Sequence, residues 1–363
     1  MGTRTISTRA LIPVVCSVLL SFAAFVVTGS AIMEAGRTGG GPDGAAVHST
    51  VLPLTGFSSL AVDSDRSILF VSSGQESDAI AVTDFAGRIV TRIPGQQGAT
   101  SLVLSADQQT LYVALSGGDA IAAISTSTLK ETARYNIGAG VAPLSLAIVG
   151  DEVWFGYGSA SGSGIGVLDP GKRTVVLHSQ PGFRSAPLLA AAPSAPDILI
   201  AGEAGGQPSL VEEFDTATGT PVRTAQSASS SGCTTIHALA VTSDGRDVIV
   251  TCTTSSQYYA ISLALADLDQ VRTYQTGPRT DALAIAPNGE IAVGVDGAGS
   301  GSVHLYAPGS STATGTYSVN GSGVYGLAWN EHADMLFAVT TRLGGFSPTL
   351  NVITPSARQS IVG

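Results

Sequence analysis

ATSLVLSADQQTLYVALSGGDAIAAISTSTLKETARYNIGAG, residues 99–140, is the stretch whose reading decides the architecture. Ser101 to Leu104 is a short apolar run, Ser105-Ala106-Asp107-Gln108-Gln109 a polar turn, and Thr110 to Leu115 a second run. Gly117-Gly118-Asp119 turns the chain again before a third run, Ala120 to Ser125, and a weaker fourth, Thr132 to Ile137. Apolar runs of this length separated by turn chemistry are strands. An amphipathic helix needs apolar residues at a period near 3.6 over about ten or more positions, and none of these runs is long enough. The stretch reads as four short antiparallel strands.

The unit recurs. Aligned on one leucine of the first run (Leu60, Leu102, Leu146, Leu189, Leu239, Leu283 and Leu327), seven copies follow at spacings of 42, 44, 43, 50, 44 and 44 residues. A turn follows each leucine: DSDRS (63–67), SADQQ (105–109), VGDE (149–152), PSAPD (193–197), TSDGRD (242–247), APNGE (286–290) and NEHAD (330–334). Asp, Asn, Gly and Pro suit such turns because they tolerate positive φ, pre-set φ, or bond their own backbone. A second strand then comes each time, as ILFVSS, TLYVAL, EVWFGY, DILIAG, DVIVTC, EIAVGV and MLFAVT. A fixed period in the low forties with four strands per period marks the blades of a propeller. The expected fold is all-β, a seven-bladed β-propeller of four-stranded antiparallel blades, preceded by an N-terminal signal or anchor helix. The expected organisation is residues 1–33 for that segment, 34–47 for a Gly-rich spacer, and 48–363 for the propeller.

The repeat resembles the YVTN family of β-propellers, relatives of WD40 and lactonase-type propellers. The likeness lies in LYVAL (111–115), LFVSS (69–73), AIAVTD (79–84), AIAAIS (120–125) and FDTATG (214–219), and spans about residues 48–363. Tyr-Val-Thr-Asn itself never occurs, and blades three and four diverge. The resemblance implies the fold. It implies no single function, because propellers carry many unrelated activities.

Composition narrows the partners. Charged residues make up 12% of the chain and the net charge is −10, with Lys130 and Lys172 the only lysines. No basic stripe is available for phosphates, so nucleic acid is not an expected partner. Seven blades nearly exhaust the length that follows the leader, and a monomer is expected.

Residues 1–9 carry Arg4 and Arg9 and no acid, and Ala10 to Met33 carries no charge. A basic end, an apolar block and then Thr28-Gly29-Ser30-Ala31 read as a secretory signal peptide cleaved after about Ala31. The uncharged stretch is also long enough to remain as an uncleaved membrane anchor. Cleavage is the preferred reading, and both put the propeller outside the cytoplasm, with the membrane met only through this segment. Cys16 reads as an ordinary apolar residue of the segment, since Val15 precedes it where a lipidation site needs a small residue. The Gly-rich residues 34–47 form a flexible spacer.

Ring folds close by pairing one terminus into a blade that holds the other, which removes an open seam. Thr50 to Thr55 and Arg358 to Val362 are strand-like and are expected to share the last blade. Pro53, which has no amide hydrogen, places its strand outermost. Cys233 precedes the first strand of blade five and Cys252 ends the second, so their hairpin brings them together. An exported chain makes a Cys233–Cys252 disulfide the expected outcome, with two small apolar core residues the alternative.

No catalytic set and no cofactor is assigned. The histidines, His48, His178, His237, His304 and His332, lack zinc-ligand spacing. Asp63, Asp65, Glu76 and Asp78 read as turn formers and solvated charge, not as a calcium or other metal site. The glycines of 156–164 and 294–302 read as hairpin loops, not as phosphate cradles. One address stands out. Two residues before each leucine stand Ser58, Thr100, Leu144, Pro187, His237, Asp281 and Tyr325, with Arg184 and Arg279 in loops just ahead. If the first strand lines the central channel, these residues meet at one mouth. His237, Asp281 and Tyr325 come from successive blades with Arg279 beside them, and a carboxylate near an imidazole serves either acid–base chemistry or a structural hydrogen-bond network. Ser58 could join a Ser/His/Asp set only across the channel.

The leading functional expectation is an extracytoplasmic binding or scaffold propeller for a protein, glycan or cell-envelope partner. The alternative is a hydrolase or lactonase-like enzyme using the channel mouth. A quinoprotein reading lacks the tryptophan docking motifs, with only Trp154 and Trp329 in the chain.

Overall fold

The computed structural model describes residues 46–363 apart from 76, 160–161, 180–182, 193, 204–208, 228–232, 254–256, 278, 298–299, 342–346 and 356–363. The N-terminal segment, the spacer up to residue 45, Glu76 and the strand expected at 358–362 lie outside the described residues.

Twenty-eight strands, β1–β28 in chain order, form seven four-stranded antiparallel sheets. Six sheets take four consecutive strands each, and the seventh takes its order from both ends of the chain, β1-β28-β27-β26. The first strands of the blades are β2 (Ser59–Asp63), β6 (Ala99–Leu104), β10 (Pro143–Val149), β14 (Leu188–Ala192), β18 (Thr235–Val241), β22 (Ala282–Ile285) and β26 (Gly323–Trp329). Each carries one of the seven leucines. Each also contacts the first strand of the next blade, and β26 returns to β2, so these strands line the axis of a closed ring.

The second strands explain why their sequences run apolar without alternation. Side chains alternate between the two faces of a strand, and here both faces meet another sheet. In β3 (Ile68–Ser72), Phe70 packs with Val82, Leu111 and Val113 towards blade two. Its neighbours Leu69 and Val71 pack with Phe337, Val339 and Leu350 towards blade seven. In β27 (Leu336–Thr341), Leu336 and Ala338 face blade six while Phe337 and Val339 face blade one. Seven apolar clusters result, one wedged between each pair of neighbouring blades. Some interfaces require a missing side chain: the Phe57 ring of blade one lies where a Cβ on Gly326 of blade seven would sit.

The ring closes at β1 (Ala46–Val51), the outermost strand of blade seven, which pairs antiparallel with β28 (Thr349–Thr354) from Ala46↔Thr354 to Val51↔Thr349. The expected sharing of the last blade by an N-terminal strand is therefore observed, with one correction. The strand lies at 46–51, not 50–55, and Pro53 stands beyond its end. Leu52 makes the last bond, from its N–H to the Pro348 carbonyl, and Pro53 could not have continued the ladder. Asn351 rivets the closure from a fully buried position. Its Oδ1 accepts from the Ser49 hydroxyl of β1 and from the Asn320 N–H at the end of blade six, and its Nδ2 donates to Thr340 Oγ1.

Cys233 and Cys252 form a disulfide with their Cα atoms 5.6 Å apart. It spans 19 residues of sequence and ties the entry of β18 to the end of β19 (Asp247–Thr253).

Two outcomes follow from this construction. Asn351→Leu removes, from a fully buried position, the acceptor of the Ser49 hydroxyl and of the Asn320 N–H, and should cost about 1–3 kcal/mol in denaturant titrations; a loss under about 0.5 kcal/mol would show that closure does not depend on it. The paired change Cys233→Ala/Cys252→Ala should lower unfolding free energy by about 3 kcal/mol, and peptide mapping of the unsubstituted protein should separate the Cys233 and Cys252 peptides only after reduction.

Candidate functional site

The channel mouth expected from sequence exists because of a repeated irregularity. In β6, β10, β18 and β26 the pairing register shifts around one extra residue, which is Thr100, Leu144, His237 or Tyr325. A β-bulge leaves that residue out of the ladder and re-aims its side chain. In blade four the shift lies elsewhere, between Ala190 and Ala192. Ser58, Pro187 and Asp281 stand just ahead of their strands, not inside them.

At this mouth most polar groups are paired across blade boundaries. Ser58 Oγ donates to the Thr100 carbonyl at 2.8 Å, Thr100 Oγ1 to the Pro143 carbonyl at 3.0 Å, and Ser145 Oγ to the Pro187 carbonyl at 2.6 Å. These bonds stitch blades one to four in succession. Between blades five and six, His237 Nδ1 lies 3.2 Å from Asp281 Oδ1. His237 Nε2 is 2.7 Å from Thr253 Oγ1, at the end of β19. A neutral imidazole satisfies both partners with its proton on Nδ1, donating to Asp281 while Nε2 accepts from the Thr253 hydroxyl.

Arg279 and Asp281 are joined by a second acid, Asp296. Arg279, held at φ 54°, places Nε 3.6 Å from Asp296 Oδ2. Asp296 Oδ1 accepts from the Val324 N–H of blade seven at 2.9 Å. Burial pushes the Asp296 carboxyl above its usual range and the Asp281 charge adds to this, while the Val324 N–H and the Arg279 guanidinium pull the other way. Polar contacts thus join blade five to blade six through His237 and Asp281, and blade six to blade seven through Asp296 and the Val324 N–H.

The structure therefore brings His237, Asp281 and Arg279 together and sets Tyr325, 40% exposed, one residue beyond Val324. Ser58 is spent on blade two, and Arg184, exposed in blade four, donates its backbone N–H to the buried Glu203 carboxylate at 2.8 Å. Thr253 and Asp296 escaped the sequence reading, which saw Asp281 as the sole acid at the mouth. Both were findable by counting hairpin register: β22 pairs Ala282 with Gly294 of β23 (Ile291–Val295), which brings Asp296 back beside Thr280. Among the described residues, no group of three or more His, Cys, Asp or Glu stands together as a metal site.

Below the mouth the channel turns apolar. A cavity of about 570 Å³ is lined by the first strands of blades two to six, with Leu146, Ile148, Leu239 and Ile285 among its walls.

No family model and no curated protein matches the chain. Among solved structures 1546 chains match it, so the architecture is widely shared. One is a Kuenenia stuttgartiensis hydrazine synthase, with a TM-score of 0.64 and 15% identity over 85% of this chain and 98% of that one. The likeness is one of fold. At this identity it carries no activity across to the present chain.

Asp296 yields a pH test. Its folded-state pKa lies above the ordinary value, so folding favours its protonated form. Stability from this group is full at low pH and falls as pH rises through the raised pKa. Asp296→Asn keeps an acceptor for the Val324 N–H but no longer titrates. Denaturant midpoints between about pH 3 and about pH 7 should show the variant gaining on the parent protein as pH rises; a gap that does not change with pH would refute the assignment.

Proposed function

We propose that this chain is an extracytoplasmic binding propeller of the YVTN type, which engages a protein or glycan of the cell envelope through the channel-mouth face. The supporting observation is the state of the polar groups there. Ser58, Thr100, His237, Asp281, Arg279 and Asp296 are engaged with one another or with backbone across blade boundaries. They hold the rim in shape, and the large hydrophobic groups it exposes are Tyr325 and Leu144, with the exposed Arg184 and Arg279 side chains beside them. An aromatic ring on a rigid rim suits stacking against a sugar face or packing against a partner side chain. The apolar N-terminal block supports the placement outside the cytoplasm.

A hydrolase reading has one observation in its favour. Thr253, His237 and Asp281 stand in the order hydroxyl, imidazole, carboxylate, at 2.7 Å and 3.2 Å, which is the geometry of an activated nucleophile. It would place the nucleophile on Thr253, not on Ser58.

A thermal-shift screen of glycans, lactones and envelope peptides separates the two. A binder should raise the melting temperature by mass action, and Tyr325→Ala should weaken it about tenfold or more. Hydrolysis of any screened lactone or ester that disappears in both His237→Ala and Thr253→Val would overturn the binding reading.

A further inference from the structure

The other mouth of the channel has a different chemistry. It is ringed by the turns that join first to second strands. The Ser64 N–H of blade one donates to Gln108 Oε1 of blade two, Ser64 Oγ accepts from the Glu331 N–H of blade seven, and Gly245 of blade five lies against Ser194 of blade four. Ala106, Gly150 and Pro196, from three successive turns, line the cavity of about 570 Å³ itself. That cavity has no titratable and no hydroxyl side chain in its lining, only aliphatic residues, glycine and proline. Water inside it finds no side-chain partner, whereas an apolar group gains roughly 25 cal/mol for each Å² it buries.

The rim is acidic. Asp65, Asp107, Asp151, Asp244 and Glu331 are exposed in the turns of five blades, and Asp197 is exposed near the start of the second strand of blade four. The exposed arginine among these turns is Arg246, 3.8 Å from Asp244. The Ser105 hydroxyl, and then the Gln109 N–H, hold the Asp107 carboxyl below the usual range, so it stays ionised. Such a rim concentrates cations and repels anions.

We propose that this mouth binds a cationic amphiphile, with an unbranched aliphatic chain in the bore and an ammonium group among the carboxylates of the rim. Charge complementarity selects the head and the aliphatic walls select the tail. The site lies at the opposite end of the channel from His237, so it stands or falls independently of the binding face described above.

Isothermal titration of the full-length protein with octylammonium, octanoate and octanol tests this, because the three share one chain and differ in head charge. Octylammonium should bind saturably, at least about tenfold more tightly than octanoate, and more weakly as salt rises. Asp107→Asn/Asp151→Asn, in exposed turns, should bring its affinity close to that of octanol while leaving octanol unchanged. Ala190→Leu/Ala240→Leu fills the bore and should abolish binding of both, with far-UV circular dichroism confirming that the variant is folded. If that variant does not fold, the turn variant alone decides. Equal affinity for all three probes, a preference for octanoate, no binding of octylammonium, or binding indifferent to the turn acids would each overturn the proposal.

Discussion

Everything in this molecule depends on sheets that are apolar on both faces. A single blade with Phe70 on one side and Leu69 and Val71 on the other cannot shield either side by itself. Stacking sheets in a row would shield the inner ones and leave two open ends. Curling the row into a ring removes the ends, and it moves the core from one central mass into seven wedges between blades. The final wedges, on either side of blade seven, form only when the ring shuts, so closure bears on the whole structure. This is why a strand from the start of the chain sits beside β28 at its end, with a buried Asn351 joining three segments far apart in sequence.

Polar groups take over where the wedges stop. At the start of the first strands, bonds between successive blades run from Ser58 to Thr100, from Thr100 to Pro143, and from Ser145 to Pro187. The pattern then changes from neutral hydroxyl bonds to charged ones, with His237 and Asp281, then Arg279 and Asp296. The change coincides with the place where the disulfide clamps blade five. Cys233 and Cys252 flank the hairpin whose last residue, Thr253, holds the imidazole. Covalent and ionic fastening thus meet in one sector, while blades one to three rely on serine and threonine.

The two mouths of the channel differ because the two ends of a first strand have different tasks. The starting end meets the incoming chain from the previous blade and carries the bulges that swing side chains inward. The finishing end must turn tightly into the second strand, and tight turns favour aspartate. Seven turns of that kind on one face give a carboxylate rim as a by-product of hairpin chemistry. Between the mouths, the first strands contribute aliphatic side chains, from alanine to leucine and isoleucine, to the walls of the cavity.

The repeat, the count of seven, the strand order within a blade and the cysteine pairing were legible in the sequence. Each rests on local chemistry: turn residues, apolar runs and hairpin register act between residues close in the chain. The address of the mouth residues was legible too, since one alignment placed His237, Asp281 and Tyr325 at equivalent positions. Which of them touch was not. Bulges at Thr100, Leu144, His237 and Tyr325 follow from the packing of neighbouring sheets, and no run of residues announces them. Thr253 meets His237 within the hairpin of blade five, whereas Asp296 joins through Val324 of blade seven, so only the closed ring decided the role of Asp296. By itself the sequence determined what each blade is, because a blade is made of neighbours; the tertiary structure decided what the blades do to one another, because those contacts exist only once the circle is complete.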